Sequence, residues 1–105
     1  MKMKFGEVIE MMKADPSRRF ARENWNGKGM FIYLVPGHAV DSKDWTGPKE
    51  CIYAKDVLDD DGVTITKHRV WINGHVDMKT ADDSVIVGWL ATQTDMLNED
   101  WYEVL

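Results

Sequence analysis

The chain has 105 residues, the size of one domain whose core can be stable without staples. Its 18 acidic residues against 13 basic ones give a formal net charge of −5, which disfavours a duplex DNA or RNA partner but leaves a small phosphorylated ligand open. A single cysteine, Cys51, excludes an intrachain disulfide and suits a reducing compartment, while 5 tryptophans point to a dense core, a recognition face, or both.

The start, Met1 to Phe5, leads into Glu7 and Glu10 with no continuous apolar stretch, so no signal peptide is expected. No run approaches the ~18 apolar residues of a membrane helix, and the expectation is a cytoplasmic protein. Phe5, Val8, Ile9 and Met12 recur at i, i+3, i+4 and i+7, predicting an amphipathic helix that Asp15-Pro16 ends. Arg18 to Trp25 reads as a short strand, with a turn at Asn26-Gly27-Lys28-Gly29. Met30 to Val35 is an apolar, β-rich run whose length suits a strand covered on both faces, stopped by Pro36-Gly37. His38 to Lys49 shows no periodicity and reads as a loop. Strands are expected at Cys51–Val57, Val63–Thr66 and Arg69–Ile72, with a hairpin turn at Asp61-Gly62 and another turn at Asn73-Gly74. His75 to Thr80 alternates, placing His75, Asp77 and Lys79 on one face. Val85 to Val87 with Trp89 predicts a further strand, Thr94 a cap for a helical turn through Leu97, and Trp101 to Leu105 the last strand. One helix followed by short antiparallel strands is an α+β arrangement: an N-terminal helix packed on a mainly antiparallel sheet, in one domain over residues 1–105.

The chemistry of these residues favours binding over catalysis. His75 and Asp77 could supply half a metal site, yet His38, His68 and Cys51 stand alone, so a polar strand face is the better account and no metal or cofactor is expected. Cys51 sits in an apolar stretch and reads as a small core residue, not a nucleophile. Gly27-Lys28-Gly29 lacks the remaining residues of a phosphate-binding loop and reads as a turn. Asp59-Asp60-Asp61 does not alternate as a calcium loop requires and reads as a solvated turn. Arg18, Arg19 and Arg22 form a basic cluster that either balances nearby acids or faces a phosphate. What remains is a set of aromatic rings beside polar turns, Trp25 before Asn26-Gly27 and Trp71 before Asn73-Gly74, which suits stacking on a flat heterocycle or anchoring a turn.

Three segments carry a resemblance. The first is Phe5-Gly6-Glu7 with Ala21-Arg22 and Trp25 to Phe31; the second is His75 to Asp82; the third is Trp89 to Leu97 with Asp100-Trp101. In their order and spacing the chain resembles the Thoeris anti-defence two family, small proteins found largely in phages and prophages. The segment from His38 to Arg69 is poorly matched and longer than in short members. The resemblance implies a sponge that captures cyclic nucleotide immune messengers, notably cyclised ADP-ribose and in some members cyclic dinucleotides, without cleaving them. It also implies a homotetramer with pockets between subunits, acting without catalysis or cofactor and with no membrane or polymeric nucleic acid as partner. On that basis Phe5 and Trp25 are expected as stacking or apolar walls, Arg22 as a phosphate partner, and Asn73 and Asp77 as partners of ribose hydroxyls or a base edge. Thr92, Gln93 and Asp95 would come from the third segment toward a neighbouring subunit's pocket, and Asp100-Trp101 would be structural. The competing reading is a protein-interaction module that inhibits a host enzyme directly through its Trp-rich surface. An enzyme acting on nucleotides and a single-strand nucleic-acid binder are the remaining alternatives.

Overall fold

The apolar stripe of Phe5, Val8, Ile9 and Met12 forms helix α1 (Phe5–Ala14) in the computed structural model, which describes residues 2–105. Val8 and Met12 are buried and Phe5 and Ile9 half-buried, while Glu7, Glu10 and Lys13 are exposed. Glu7 reaches back to accept the Lys4 backbone N–H at 3.1 Å, satisfying one orphan donor of the first turn. The helix stops at Asp15 because the following Pro16 disfavours helical geometry there, and the Asp15 carboxylate accepts the Ser17 N–H at 3.1 Å.

The strands are β1 (Arg19–Arg22), β2 (Phe31–Val35), β3 (His38–Asp41), β4 (Tyr53–Leu58), β5 (Thr64–Ile72), β6 (His75–Lys79), β7 (Val85–Ile86) and β8 (Trp101–Val104). A short helix α2 (Gln93–Leu97) precedes β8, and the strand pairings are antiparallel. The α+β class with an N-terminal helix and mainly antiparallel sheet is thus as expected. The chain divides into two compact units, one running up to Pro36 and resuming over Gly74–Leu105, the other comprising Gly37–Asn73.

The first unit holds a five-stranded sheet of order β7-β6-β2-β1-β8. Phe20 lies opposite Ile32, Ile32 opposite Met78, and Arg22 opposite Trp101. Side chains alternate along a strand, so Phe20, Arg22, Ile32, Met78 and Trp101 share one face. Phe20, Ile32, Met78 and Trp101 join Met3, Val8 and Met12 in the buried core. The opposite face carries Arg19, Phe31, Tyr33, Asp77, Lys79, Tyr102 and Val104 by the same register. The second unit is a three-stranded sheet of order β3-β5-β4, in which Val70 is the buried apolar residue.

Several expectations need correction. The supposed loop from His38 contains β3, whose Ala39 and Val40 pair with Trp71 and Val70, and two 3-10 turns at Ser42–Asp44 and Lys49–Cys51. Val63–Thr66 and Arg69–Ile72 are not two strands: β5 runs unbroken from Thr64, because Lys67 and His68 pair with Lys55 and Ala54. Trp25 leaves the strand, since Glu23–Trp25 tighten into a 3-10 turn that ends on Asn26 in the left-handed region (φ 55°). Trp89 likewise falls outside β7, after Gly88 at φ +73°. The cap of α2 is Thr92, not Thr94, and β2 is covered less than expected, with only Ile32 fully buried. Cys51 is exposed at the end of the Lys49–Cys51 3-10 turn, and the strand expected from Cys51 begins only at Tyr53 as β4. Among the described residues no helix is long and apolar enough to cross a membrane.

Candidate functional site

Residues distant in sequence converge at one end of the first unit. Trp101 is fully buried, with its ring 5.3 Å from those of Phe5 and Trp25 and 6.3 Å from that of Trp89. Trp25 and Trp89 meet edge to face at 6.2 Å, and Phe5 meets Trp89 at 6.4 Å. These offset and edge-on contacts are the ones ring quadrupoles favour. Phe5, Trp25 and Trp89 are only half-buried, so the cluster has a closed base, Trp101, and a partly open rim.

Arg22 locks the base. Its Nη1 donates to Asp95 Oδ1 at 2.8 Å, its Nε to Asp100 Oδ1 at 2.9 Å and its Nη2 to Asp100 Oδ2 at 3.3 Å. The Asp100 carboxylate also accepts the Asn24 N–H, and Trp101 Nε1 donates to the Asp95 carbonyl at 2.9 Å. Asp95 in turn caps α2: it accepts the Thr92 N–H at 2.9 Å, while Thr92 Oγ1 accepts the Asp95 N–H at 3.1 Å. The Arg22 guanidinium holds the Asp100 carboxyl below the usual aspartate value. Burial pushes the Asp95 carboxyl up, but the hydrogen bonds from Thr92 and Arg22 outweigh it and leave Asp95 low as well.

These directions predict an acid limit. A carboxyl whose pKa is depressed on folding contributes stability that is present above the ordinary value of 3.8 and lost as pH falls through the folded value. The urea midpoint is therefore expected to hold steady above that value and to drop below it, and Asp95→Asn is expected to flatten the drop. An equally steep acid fall in Asp95→Asn would contradict the assignment.

Beside the aromatic rim, the Trp25–Gly29 turn and the open sheet face enclose a hollow of about 360 Å³, lined by Trp25, Lys28, Met30, Phe31, Lys79 and Tyr102, with the turn glycines. Lys79 Nζ donates to the Gly29 carbonyl at 2.9 Å and pairs with Asp83 at 2.7 Å, which ties the turn to β6. Gly29 takes φ +76°, a left-handed conformation that calls for glycine, and a Cβ there would lie 3.2 Å from the flexible end of the Lys79 side chain. A neighbouring hollow of about 430 Å³ on the same sheet face is lined by Arg19, Phe31, Tyr33, Lys79 and Val85 with Pro16 and Ser17; Arg19 lies over the Phe31 ring at 5.1 Å.

Of the residues expected to bind, Phe5, Arg22, Trp25, Thr92 and Asp95 are thus brought together, though in different states. Phe5 and Trp25 form the rim; Arg22, Thr92 and Asp95 are engaged with one another. Arg22 leaves only 4% of its side chain exposed and its donors sit on carboxylates, which departs from a cation held ready for phosphate. Gln93 is exposed on the first turn of α2. Asp77 is buried on β6, where it accepts the Gly88 N–H at 2.9 Å and lies 3.4 Å from His75 Nε2, so it fixes the corner that leads into Trp89. Asn73 closes the second unit and is exposed there. Sequence reasoning missed Trp89, Lys79 and Tyr102; the alternation that put Lys79 on the Asp77 face, opposite Phe31, was the available signal. Among the described residues no three His, Cys, Asp or Glu side chains gather as a metal site. What the corner offers is ring edges and faces, a glycine-rich turn, an ammonium group and a phenol.

The family model for the Thoeris anti-defense 2-like domain matches residues 3–104. The chain is also similar to the protein Thoeris anti-defense 2 of Bacillus phage SP01, with 33% identity over 100 residues that span 95% of this chain and 92% of that protein.

Proposed function

The chain belongs to the Thoeris anti-defense 2-like family, and on that premise we propose that it is a non-catalytic phage anti-defence protein that binds and sequesters a cyclic nucleotide messenger. The messenger is cyclised ADP-ribose or, second, a cyclic dinucleotide, and its capture keeps the host defence effector inactive. The protein works in the bacterial cytoplasm as a homotetramer, residues 1–105 acting as one functional domain. The single observation that carries this reading is the family match, which runs through the segments that build the aromatic rim and its hollow.

The geometry supports it in kind. A hollow of about 360 Å³ lies within the range of small-molecule sites, roughly 300–1,000 Å³, and is walled by rings that suit a purine. Trp25, Phe31 and Tyr102 are the walls of the hollow, Phe5 belongs to the aromatic rim beside it, and Lys79 with the Trp25–Gly29 turn provides polar contacts. Gln93, exposed on α2, reads the ribose or the base edge by reaching a neighbouring subunit's pocket, while Asp77, engaged with Gly88 and His75, holds the corner that leads into Trp89. Arg22, Thr92 and Asp95 act by holding the rim in place, and Arg22 would meet a phosphate only by exchanging a carboxylate for it.

Stacking on an aromatic side chain contributes roughly 1–3 kcal/mol per base, so Trp25→Ala is expected to weaken messenger binding about 5- to 150-fold. A titration in which Trp25→Ala binds as tightly as the parent would remove Trp25 from the site. Capture is separated from cleavage by incubating the protein with cyclised ADP-ribose, denaturing it by heat and weighing what is released. Intact messenger in stoichiometric amount is expected; a shortened or hydrated product would mean an enzyme.

A further inference from the structure

The sheet of the second unit has two unlike faces. Tyr53 lies opposite Arg69, Lys55 opposite Lys67, Val57 opposite Ile65, and Ala39 opposite Trp71. Alternation therefore puts Tyr53, Lys55, Ile65, Lys67, Arg69 and Trp71 on one face. The other face carries buried Val70 and a closed polar pair in which the Thr66 hydroxyl donates to Asp56 at 2.6 Å. On the first face Trp71 is 54% exposed and Tyr53 39%.

Like charges directly opposite each other destabilise an antiparallel pair, yet Lys55 faces Lys67 across β4 and β5, with Arg69 next on the same face. None of the three has an ion-pair partner among the described residues. Asp41 is opposite Arg69 on the β3 side, and its carboxylate accepts the Lys43 N–H at 3.0 Å instead. The arrangement is a cost to the isolated sheet, and an anionic partner would remove it.

We infer that this face docks an acidic surface of a partner protein, whose carboxylates sit over Lys55, Lys67 and Arg69 while its apolar atoms cover Tyr53 and Trp71. Trp, Tyr and Arg are the side chains that dominate protein interfaces. The charge pattern favours a compact acidic patch over a nucleic-acid strand. Asp59, Asp60 and Asp61 occupy the β4–β5 turn, starting four residues beyond Lys55, or about 13 Å along the strand at roughly 3.3 Å per residue. A phosphate chain tracking the strands would run onto these acids; a patch of protein carboxylates need not. The inference is independent of messenger capture.

The test is backbone-amide NMR of the full chain, titrated at low salt with a short peptide alternating Glu and Phe and, separately, with an oligothymidylate of similar length. The peptide is expected to shift amides around Tyr53, Lys55, Lys67, Arg69 and Trp71, with salt weakening the effect. Lys55→Glu with Lys67→Glu is expected to weaken peptide binding about tenfold or more. Lys55→Glu alone places opposite charges across the pair, so its melting temperature should equal or exceed the parent's while peptide binding falls. Absence of shifts at this face, unchanged peptide binding in the double variant, or a lower melting temperature for Lys55→Glu would overturn the inference. Tighter binding of the oligothymidylate at the same amides would overturn it too, in favour of nucleic acid.

Discussion

Trp101→Ala is expected to destabilise the fold by about 3–5 kcal/mol, the range for removing a fully buried large aromatic side chain. Trp101 has no exposed surface and forms the base on which the rings of Phe5, Trp25 and Trp89 rest. Its loss opens a cavity and also leaves the Asp95 carbonyl without the Nε1–H donor at 2.9 Å. A domain of this size has a total stability of only about 5–15 kcal/mol, so the variant should be largely unfolded or melt far below the parent. Trp101→Phe keeps a ring and loses the donor, and should fall between the two. Urea unfolding followed by far-UV circular dichroism measures all three; a Trp101→Ala midpoint close to the parent's would mean that the indole is not the base of the cluster.

Arg22→Ala is expected to cost a similar amount, about 3–5 kcal/mol, by a different route. Removing one partner of a buried ion pair strands the other, and here two carboxylates lose the guanidinium that donates to both. Asp95 is the more damaging of them, because it is buried and its hydrogen bonds also begin α2. The measurement is a double-mutant cycle: Arg22→Ala, Asp95→Asn and the combination, each unfolded in urea. A strongly favourable coupling energy is expected, with the double variant more stable than the sum of the single losses implies. Additive losses would show that Arg22 and Asp95 stabilise the chain independently. Because both residues hold the rim, messenger binding should decline in these variants together with stability, whereas Trp25→Ala, which leaves the Arg22 ion pairs intact, should lose binding out of proportion to its loss of stability.

Much of the architecture was legible in the sequence, and the reasons are local. The 3.6 period of Phe5, Val8, Ile9 and Met12 and the Asp15-Pro16 stop belong to α1 alone, so no distant contact could override them. The alternation from His75 to Lys79 and the solvated Asp59–Asp61 turn, where Asp59 accepts the Asp61 and Val63 N–H groups, are local too. β3 was missed because His38–Asp41 carries no period of its own; it is a strand because β5 offers it an edge. Cys51 was read as core from its apolar neighbours, but it ends a 3-10 turn ahead of β4 and is exposed there.

The site was half legible for the same reason. Arg18, Arg19 and Arg22 look like one basic cluster in sequence, and the fold distributes them. Arg18 binds Glu103 bidentately, Arg19 lies over Phe31, and Arg22, two residues after the core residue Phe20, is carried into the interior. Alternation from Phe20 would have placed Arg22 inside; only the closure of β8 against β1 could supply Asp100 as its partner. Dividing the tryptophans likewise needed contacts between residues 5, 25, 89 and 101, which no single segment contains. Trp71, which looked equivalent to Trp25 from its Asn-Gly neighbours, proves to be on an exposed sheet face in the other unit.

The central claim is capture of a cyclic nucleotide messenger, and calorimetric titration of the purified chain with cyclised ADP-ribose isomers and a panel of cyclic dinucleotides tests it most directly. Saturable binding in the nanomolar range, about −12 kcal/mol, is predicted for at least one of them. No heat of binding from any ligand in the panel, with the chain folded, would contradict the account.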